Sequence, residues 1–127
     1  YMIKIGNATK DFLNIDNLEL ISSSFENFQT KKKFGIIFSL ANDETIDGNT
    51  KFTFNEYVTK ILDLLENSGL LIFETMAQDT FEPKLFTPKL EILKKEFTIL
   101  DDRLVDTEYP INVPKRRFLI LKKIFHN

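Results

Sequence analysis

Hydrophobic and polar positions divide the chain into blocks with two rhythms. Residues 34–40, FGIIFSL, and 70–73, LLIF, are near-continuous apolar runs, the pattern of strands inside a parallel sheet. Between them Tyr57, Val58, Ile61, Leu62 and Leu65 recur at helical spacing and supply one buried face. Thr53-Phe54-Asn55-Glu56 opens this helix with a capping box, in which Thr53 caps and Glu56 reaches back to the cap amide. Asn67-Ser68-Gly69 stops it. The block from Phe34 to Thr75 thus reads strand, polar loop, helix, turn, strand: a βαβ unit.

The flanks carry weaker rhythms. Met2, Ile5, Ala8 and Phe12-Leu13 predict an amphipathic helix over 2–13. Leu18, Leu20 and Ile21 predict a short strand, broken by Ser22-Ser23-Ser24, and 25–33 is a connector with room for one helical turn. Asp47-Gly48-Asn49 marks a turn in the polar loop. Beyond the second apolar run, 85–95 is helical with Pro88 near its first turn, and 97–105 alternates as a strand. Pro110 and Pro114 keep 106–115 out of any ladder, and 117–124 is the last strand. Two strands joined by a loop without a helix imply an antiparallel pair. The expected architecture is a three-layer α/β domain, its two apolar runs adjacent and parallel, ending in an antiparallel hairpin.

Composition narrows the chemistry. At 127 residues and 43% hydrophobic, the chain fits one domain with a core. Thirteen phenylalanines accompany no tryptophan and no cysteine, which removes disulfides, thiol catalysis, cysteine-ligated zinc and iron–sulfur clusters. The single histidine, His126, is penultimate and argues against a histidine metal site or triad, so no metal is expected. A net charge of −2 gives no reason to expect nucleic acid, and the short basic runs flank apolar elements as solvated ends. No apolar stretch is long enough to span a bilayer, and no secretory signal opens the chain, so no membrane is expected and the cytoplasm is the default. Tyr1 in place of an initiator methionine reads as a segment of something longer.

The order of these elements resembles the C-terminal portion of a class I, Rossmann-like S-adenosylmethionine-dependent methyltransferase, whose seven-stranded sheet runs 3-2-1-4-5-7-6 with strand 7 antiparallel. FGIIFSL is similar to strand 4, SGLLIFET to strand 5, and the closing hairpin, from EFTILDD to RRFLILKK, to strands 6 and 7. NLELISSSFENF resembles strand 3 with the cofactor loop after it, and YMIKIGNATKDFL the helix after strand 2. The resemblance implies one methyltransferase-like domain over 1–127 from which strands 1 and 2 are missing. The family's Gly-rich turn after strand 1 has no counterpart, because Gly6, Gly35, Gly48 and Gly69 each stand alone.

By the same resemblance, Ser24 and Phe25 fall where the family contacts adenine. Phe25 would pack on its face, and Ser24 would bond its amine less strongly than a carboxylate. Ser39 and Leu40 fall near the cofactor at the end of strand 4. Asn42, Asp43 and Glu44 follow on the acceptor side, with Asn42 or Asp43 orienting the acceptor or Asp43 taking its proton. Glu74 and Thr75 close strand 5, also toward the acceptor. Against these roles stand plainer ones: core for Phe25, a turn for Ser24, a solvated acidic loop for 42–44, and a backbone hydrogen bond for Glu74. Tyr57 reads as core.

The implied function is methyl transfer from S-adenosylmethionine to a small-molecule acceptor, with weak or absent cofactor binding in this chain alone. The alternatives are a non-catalytic remnant or structural subunit of the same fold, and an unrelated α/β binding domain. With strands 1 and 2 absent, strand 4 has an open apolar edge. Either the strand-3 segment slides beside it, giving order 3-4-5-7-6, or two chains pair through the edge as a homodimer.

Overall fold

The computed structural model describes residues 2–43, 51–74, 82–106 and 115–125. The expected turn at Asp47-Gly48-Asn49, both loop prolines (Pro110, Pro114), His126, Glu44 and Thr75 lie outside them. The elements are α1 (Met2–Phe12), β1 (Phe34–Leu40), α2 (Phe54–Leu64), β2 (Leu65–Glu74), α3 (Pro83–Glu96), β3 (Phe97–Val105) and β4 (Arg116–Lys123). The four strands form one sheet in the order β1-β2-β4-β3. β1 and β2 are parallel, and β4 runs antiparallel to both β2 and β3. This is the 4-5-7-6 half of the order that the sequence resembles.

Local chemistry sets the βαβ unit. Thr53 is extended (φ −64°, ψ 157°); its Oγ1 accepts from the Glu56 amide at 3.3 Å, and Glu56 Oε2 accepts from the Thr53 amide at 2.8 Å. The Thr53 amide, together with the Thr53 hydroxyl that also donates to Glu56 Oε2, holds the Glu56 carboxyl below its usual value. At the other end of α2, the Lys123 ammonium donates to the carbonyls of Leu62 and Leu65, placing positive charge at the negative end of the helix. The expected stop at Asn67-Ser68-Gly69 is corrected: α2 ends at Leu64, and these residues lie in the first, irregular part of β2. There Ser68, rather than Gly69, takes the left-handed conformation (φ 62°) before regular pairing with β1 resumes at Ile36↔Leu70.

Strand alternation divides the sheet into two unlike faces. Ile37 and Ser39, Leu71 and Phe73, and Leu119 and Leu121 point toward α2 and α3. There they close a core with Tyr57, Val58, Ile61, Phe86, Leu93 and Phe97. Each fully buried Leu or Phe contributes roughly 1.5–3 kcal/mol of transfer free energy. Leu100 is an extra residue at a bulge in β3, so Phe97 and Ile99 face the core while Asp101, Arg103 and Val105 turn to the other face. Arg117 closes the core side of the hairpin with a two-pronged contact to Asp102 (2.7 and 2.6 Å) and lies over the Phe86 ring. The Asp102 contact raises the guanidinium pKa further.

Three further expectations are corrected. Leu18, Leu20 and Ile21 form no strand; 15–33 is irregular apart from a turn at 25–27. A strand is stable only when paired, and this segment is tied to α2 instead. Glu26 Oε1 accepts from the amides of Lys51 and Phe52, Lys60 donates to the Glu26 carbonyl at 2.7 Å, and the Phe25 ring packs on Phe52 and Tyr57. For the same reason the segment does not slide in beside β1, and the order 3-4-5-7-6 does not form. Finally, α2 and α3 cover one face only, and the apolar Ile36, Phe38 and Leu40 on the other are exposed. The described residues make two layers, not three, because α1 buries none of its residues against the sheet.

Candidate functional site at the strand ends

The C-terminal ends of parallel strands are where open α/β sheets bind ligands. Here the end of β1 carries a buried polar cluster. Ser39, on the helix face and 1% exposed, places its Oγ 2.5 Å from the Tyr57 hydroxyl of α2. Both hydroxyls lie 2.9 Å from Oδ1 of Asn42. Two hydroxyl protons serve three close contacts, so each arrangement of the triangle holds two hydrogen bonds. Asn42 is exposed, and among the described residues its amide nitrogen has no partner, so it faces outward with its oxygen fixed. The turn into it passes through Ala41 at φ 52°, a left-handed conformation costing a non-glycine residue about 1–2 kcal/mol. The Ala41 amide donating to the Glu74 carbonyl at 3.0 Å holds it there.

Burial pushes the Tyr57 phenol up to about 12; the Ser39 hydrogen bond opposes the rise and the Asp43 carboxylate adds to it. The folded state therefore prefers the protonated phenol. The stability this contributes is complete below the ordinary value of 10 and is lost as the pH rises from there toward 12. An ultraviolet titration should show one of the three tyrosines ionising late, and Tyr57→Phe should delete that step and flatten the alkaline fall in stability. Early ionisation of all three would contradict the buried triangle.

An aromatic wall backs the triangle. Tyr57 stacks on Phe54 (6.2 Å), Phe54 meets Phe73 edge-on (5.9 Å), and Phe25 tilts against Tyr57 at 5.2 Å. Phe25 is half-buried: Phe52 and Tyr57 pack on its ring and the Lys60 ammonium lies over it at 5.4 Å. Ser24 is exposed; its Oγ accepts from the Asn27 amide in the turn that presents Phe25.

Next to this wall, Asp43 and Lys89 form an ion pair at 2.9 Å, their side chains 0% and 7% exposed. The ammonium also lies over the Phe54 ring at 5.4 Å. Asp43 is thus turned inward to Lys89, while its neighbour Asn42 faces out.

Of the residues singled out by sequence, the structure brings Phe25, Ser39 and Asn42 together around Tyr57, with Asp43 behind them. Leu40 points to the opposite sheet face from Ser39, and Glu74 shares that opposite face. Glu74 is buried, with its carboxylate 2.6 Å from Nε of Arg116. Glu44 and Thr75 lie outside the described residues. Sequence reasoning missed Tyr57 and Lys89. The signal for Lys89 was its place between Phe86 and Leu93 on the apolar stripe of α3, where a cation needs a buried partner.

The fit to an adenosyl group is one-sided. A half-buried aromatic ring, an exposed serine hydroxyl and an outward amide suit an adenine or ribose. Among the described residues the glycines supply no backbone cradle: Gly35 and Gly69 are within strands, and a Cβ on Gly6 would lie 2.6 Å from Leu20. Among the described residues no group of three His, Cys, Asp or Glu could hold a metal ion, and no helix is long and apolar enough to cross a membrane.

The fold has known counterparts. The chain superposes on the N-methyltransferase NodS of Bradyrhizobium japonicum, solved with S-adenosylhomocysteine, over 94% of its own length and 61% of that chain. The TM-score is 0.68 at 13% identity. The chain has part of the fold of a class I methyltransferase. The SMU.1697c protein of Streptococcus mutans, also solved with S-adenosylhomocysteine, matches this methyltransferase fold over 91% of this chain and 67% of its own. The TM-score there is 0.56 at 20% identity. In sequence, the chain is 29% identical to malonyl-[acyl-carrier protein] O-methyltransferase 2 of Ilyobacter polytropus over 85% of its length, spanning 48% of that protein. The chain thus spans about half the length of the curated relative it matches. No protein-family profile matches it.

Proposed function

We propose that this chain forms one wall of an S-adenosylmethionine-dependent methyltransferase site for a small-molecule acceptor. The observation that carries the reading is the convergence on Tyr57 at the end of β1: Ser39 and Asn42 meet its hydroxyl and Phe25 packs on its ring. Bound there, the cofactor supplies an electrophilic methyl group. In this reading the half-buried Phe25 ring lies against the adenine, and Ser24 bonds its amine. Asn42, its oxygen pinned by two hydroxyls, presents N–H donors at fixed positions. Displacement at a sulfonium methyl needs orientation and dry surroundings more than a base. That suits an acceptor with an available lone pair, such as the oxygen or nitrogen acceptors for which the relatives are named. Asp43, held inward by Lys89, anchors the loop, and Glu74, Glu44 and Thr75 are left to the acceptor side; Leu40, on the sheet face away from Ser39, does not share the cofactor role that the resemblance gave the two together.

Without a glycine cradle, this chain alone binds weakly, with a dissociation constant above about 0.1 mM, or roughly −5.5 kcal/mol. Amide chemical shifts followed during titration with S-adenosylhomocysteine should move at Phe25, Ser39 and Asn42, and Phe25→Ala should reduce the response. Shifts confined to other surfaces, or none at millimolar ligand, would overturn the site. Tight stoichiometric binding by a monomer would overturn the one-wall reading.

A further inference from the structure

We propose that Glu26 is a positioning residue that couples the two sides of the site, so that a ligand held on Phe25 also steadies both ends of the connection from β1 to α2. The inference rests on the methyltransferase reading and adds to it a residue that acts through its neighbours. Phe25 and Glu26 lie in one turn, closed by the Ser24 carbonyl, which accepts from the amides of Asn27 and Phe28 at 3.2 and 2.9 Å. The adenine-side ring and the Glu26 backbone therefore move together. From this turn Glu26 reaches the α2 region at two places. Its Oε1 accepts from the amides of Lys51 and Phe52, the second at 2.9 Å, just ahead of the Thr53 cap. Its carbonyl accepts from the Lys60 ammonium, about two turns into the helix, at 2.7 Å.

The chemistry of these contacts makes them firm. A carboxylate oxygen shared by two backbone N–H groups forms charge-assisted hydrogen bonds, roughly twice as strong as neutral ones. Those N–H groups stand at the positive end of α2, which favours the negative charge again. A cation joins the same two segments. The Lys60 ammonium lies 5.4 Å from the centre of the Phe25 ring and 5.8 Å from that of Phe52, and the two rings meet edge-on at 6.4 Å. The stretch between β1 and α2 is thus held at both ends. At its start, Asn42 meets the Tyr57 hydroxyl and Asp43 pairs with Lys89. At its end, the amides of Lys51 and Phe52 are held by Glu26. Phe25 reaches the first anchor by packing on Tyr57, and the second through Glu26, its neighbour in the chain. Every link runs between the 24–28 turn, the end of β1, and α2 with the residues just ahead of it, and none depends on an outer surface. A ligand that stills the Phe25 ring removes part of the cost of ordering Asn42, Lys51 and Phe52, and the effect runs equally in reverse.

Amide hydrogen exchange and chemical shifts on the whole chain, with and without millimolar S-adenosylhomocysteine, test the coupling. In the free chain Glu26→Ala should speed exchange at the Lys51 and Phe52 amides roughly tenfold or more, with Ile61 and Leu64 of α2 unchanged. In the parent chain the ligand should slow those two amides about fivefold, the low end of typical couplings. In Glu26→Ala the ligand should still shift Phe25 but no longer slow them. Glu26→Gln should restore most of the slowing, because both bonds fall on one oxygen, which glutamine retains. Glu26→Met, of similar length without that oxygen, should not. No response at Phe25, Ser39 or Asn42 in the parent chain would overturn the methyltransferase reading and the coupling with it. A response there without slowing at Lys51 and Phe52 would overturn the coupling alone. So would slowing that survives Glu26→Ala, or a methionine variant that matches glutamine. Should alanine unfold the chain, Glu26→Asp, whose carboxylate stops one methylene short, is read in the same way.

Discussion

Truncation of Phe73 to alanine is expected to cost the fold about 3–5 kcal/mol. Phe73 is fully buried on β2, an inner strand, between Ser39 of β1 and Leu119 of β4. Its ring supports Phe54 edge-on, and Phe54 in turn stacks on Tyr57 and lies beneath the Lys89 ammonium. Removing the ring forfeits its transfer free energy and opens a gap that the paired strands cannot close. Against a total stability of roughly 5–15 kcal/mol for a domain, this is a large share. Urea unfolding should show the midpoint falling with the slope unchanged. The late Tyr57 ionisation should also move earlier as its surroundings loosen. A loss under about 1 kcal/mol would mean that Phe73 does not tie the sheet to the helix layer.

What could be read from the sequence, and what could not, follows from the range of each interaction. The strand at 34–40, the capped α2 and the strand at 97–105 are specified by residues within a few positions of one another, so their rhythms show in the chain. Leu18, Leu20 and Ile21 have strand-like spacing too, but a strand depends on its partner, which spacing does not reveal. The apolar run 34–40 reads as buried on both faces, yet only one face is covered, because covering is a property of other elements. Ser39 and Leu40 are adjacent in sequence and opposite in space. Period-two alternation made that separation derivable. Tyr57 kept the apolar spacing of α2, which hid its hydroxyl chemistry. The meeting of that hydroxyl with Ser39 and Asn42, 18 and 15 residues away, is tertiary.

Replacement of Lys89 by methionine is expected to be as damaging as a core truncation, for the opposite physical reason. The substitution keeps most of the side-chain volume but removes the cation 2.9 Å from the Asp43 carboxylate, whose side chain is 0% exposed. Breaking one side of a buried ion pair typically costs about 3–5 kcal/mol, whereas replacing both partners with apolar groups is often near neutral. Lys89→Met combined with Asp43→Leu should therefore recover most of the loss, so that the double variant loses far less than the sum of the two single variants in the double-mutant cycle. The consequence reaches the candidate site through three residues of backbone. Ala41 at φ 52° and Asn42 lie between β1 and the Asp43 anchor, and releasing the anchor lets the turn relax. The Asn42 oxygen then leaves the Ser39 and Tyr57 hydroxyls, and the S-adenosylhomocysteine-induced shift at Asn42 should shrink even in the stable double variant. A fully additive cycle, or an Asn42 response unchanged in the double variant, would show that the pair neither carries the loop nor positions the site.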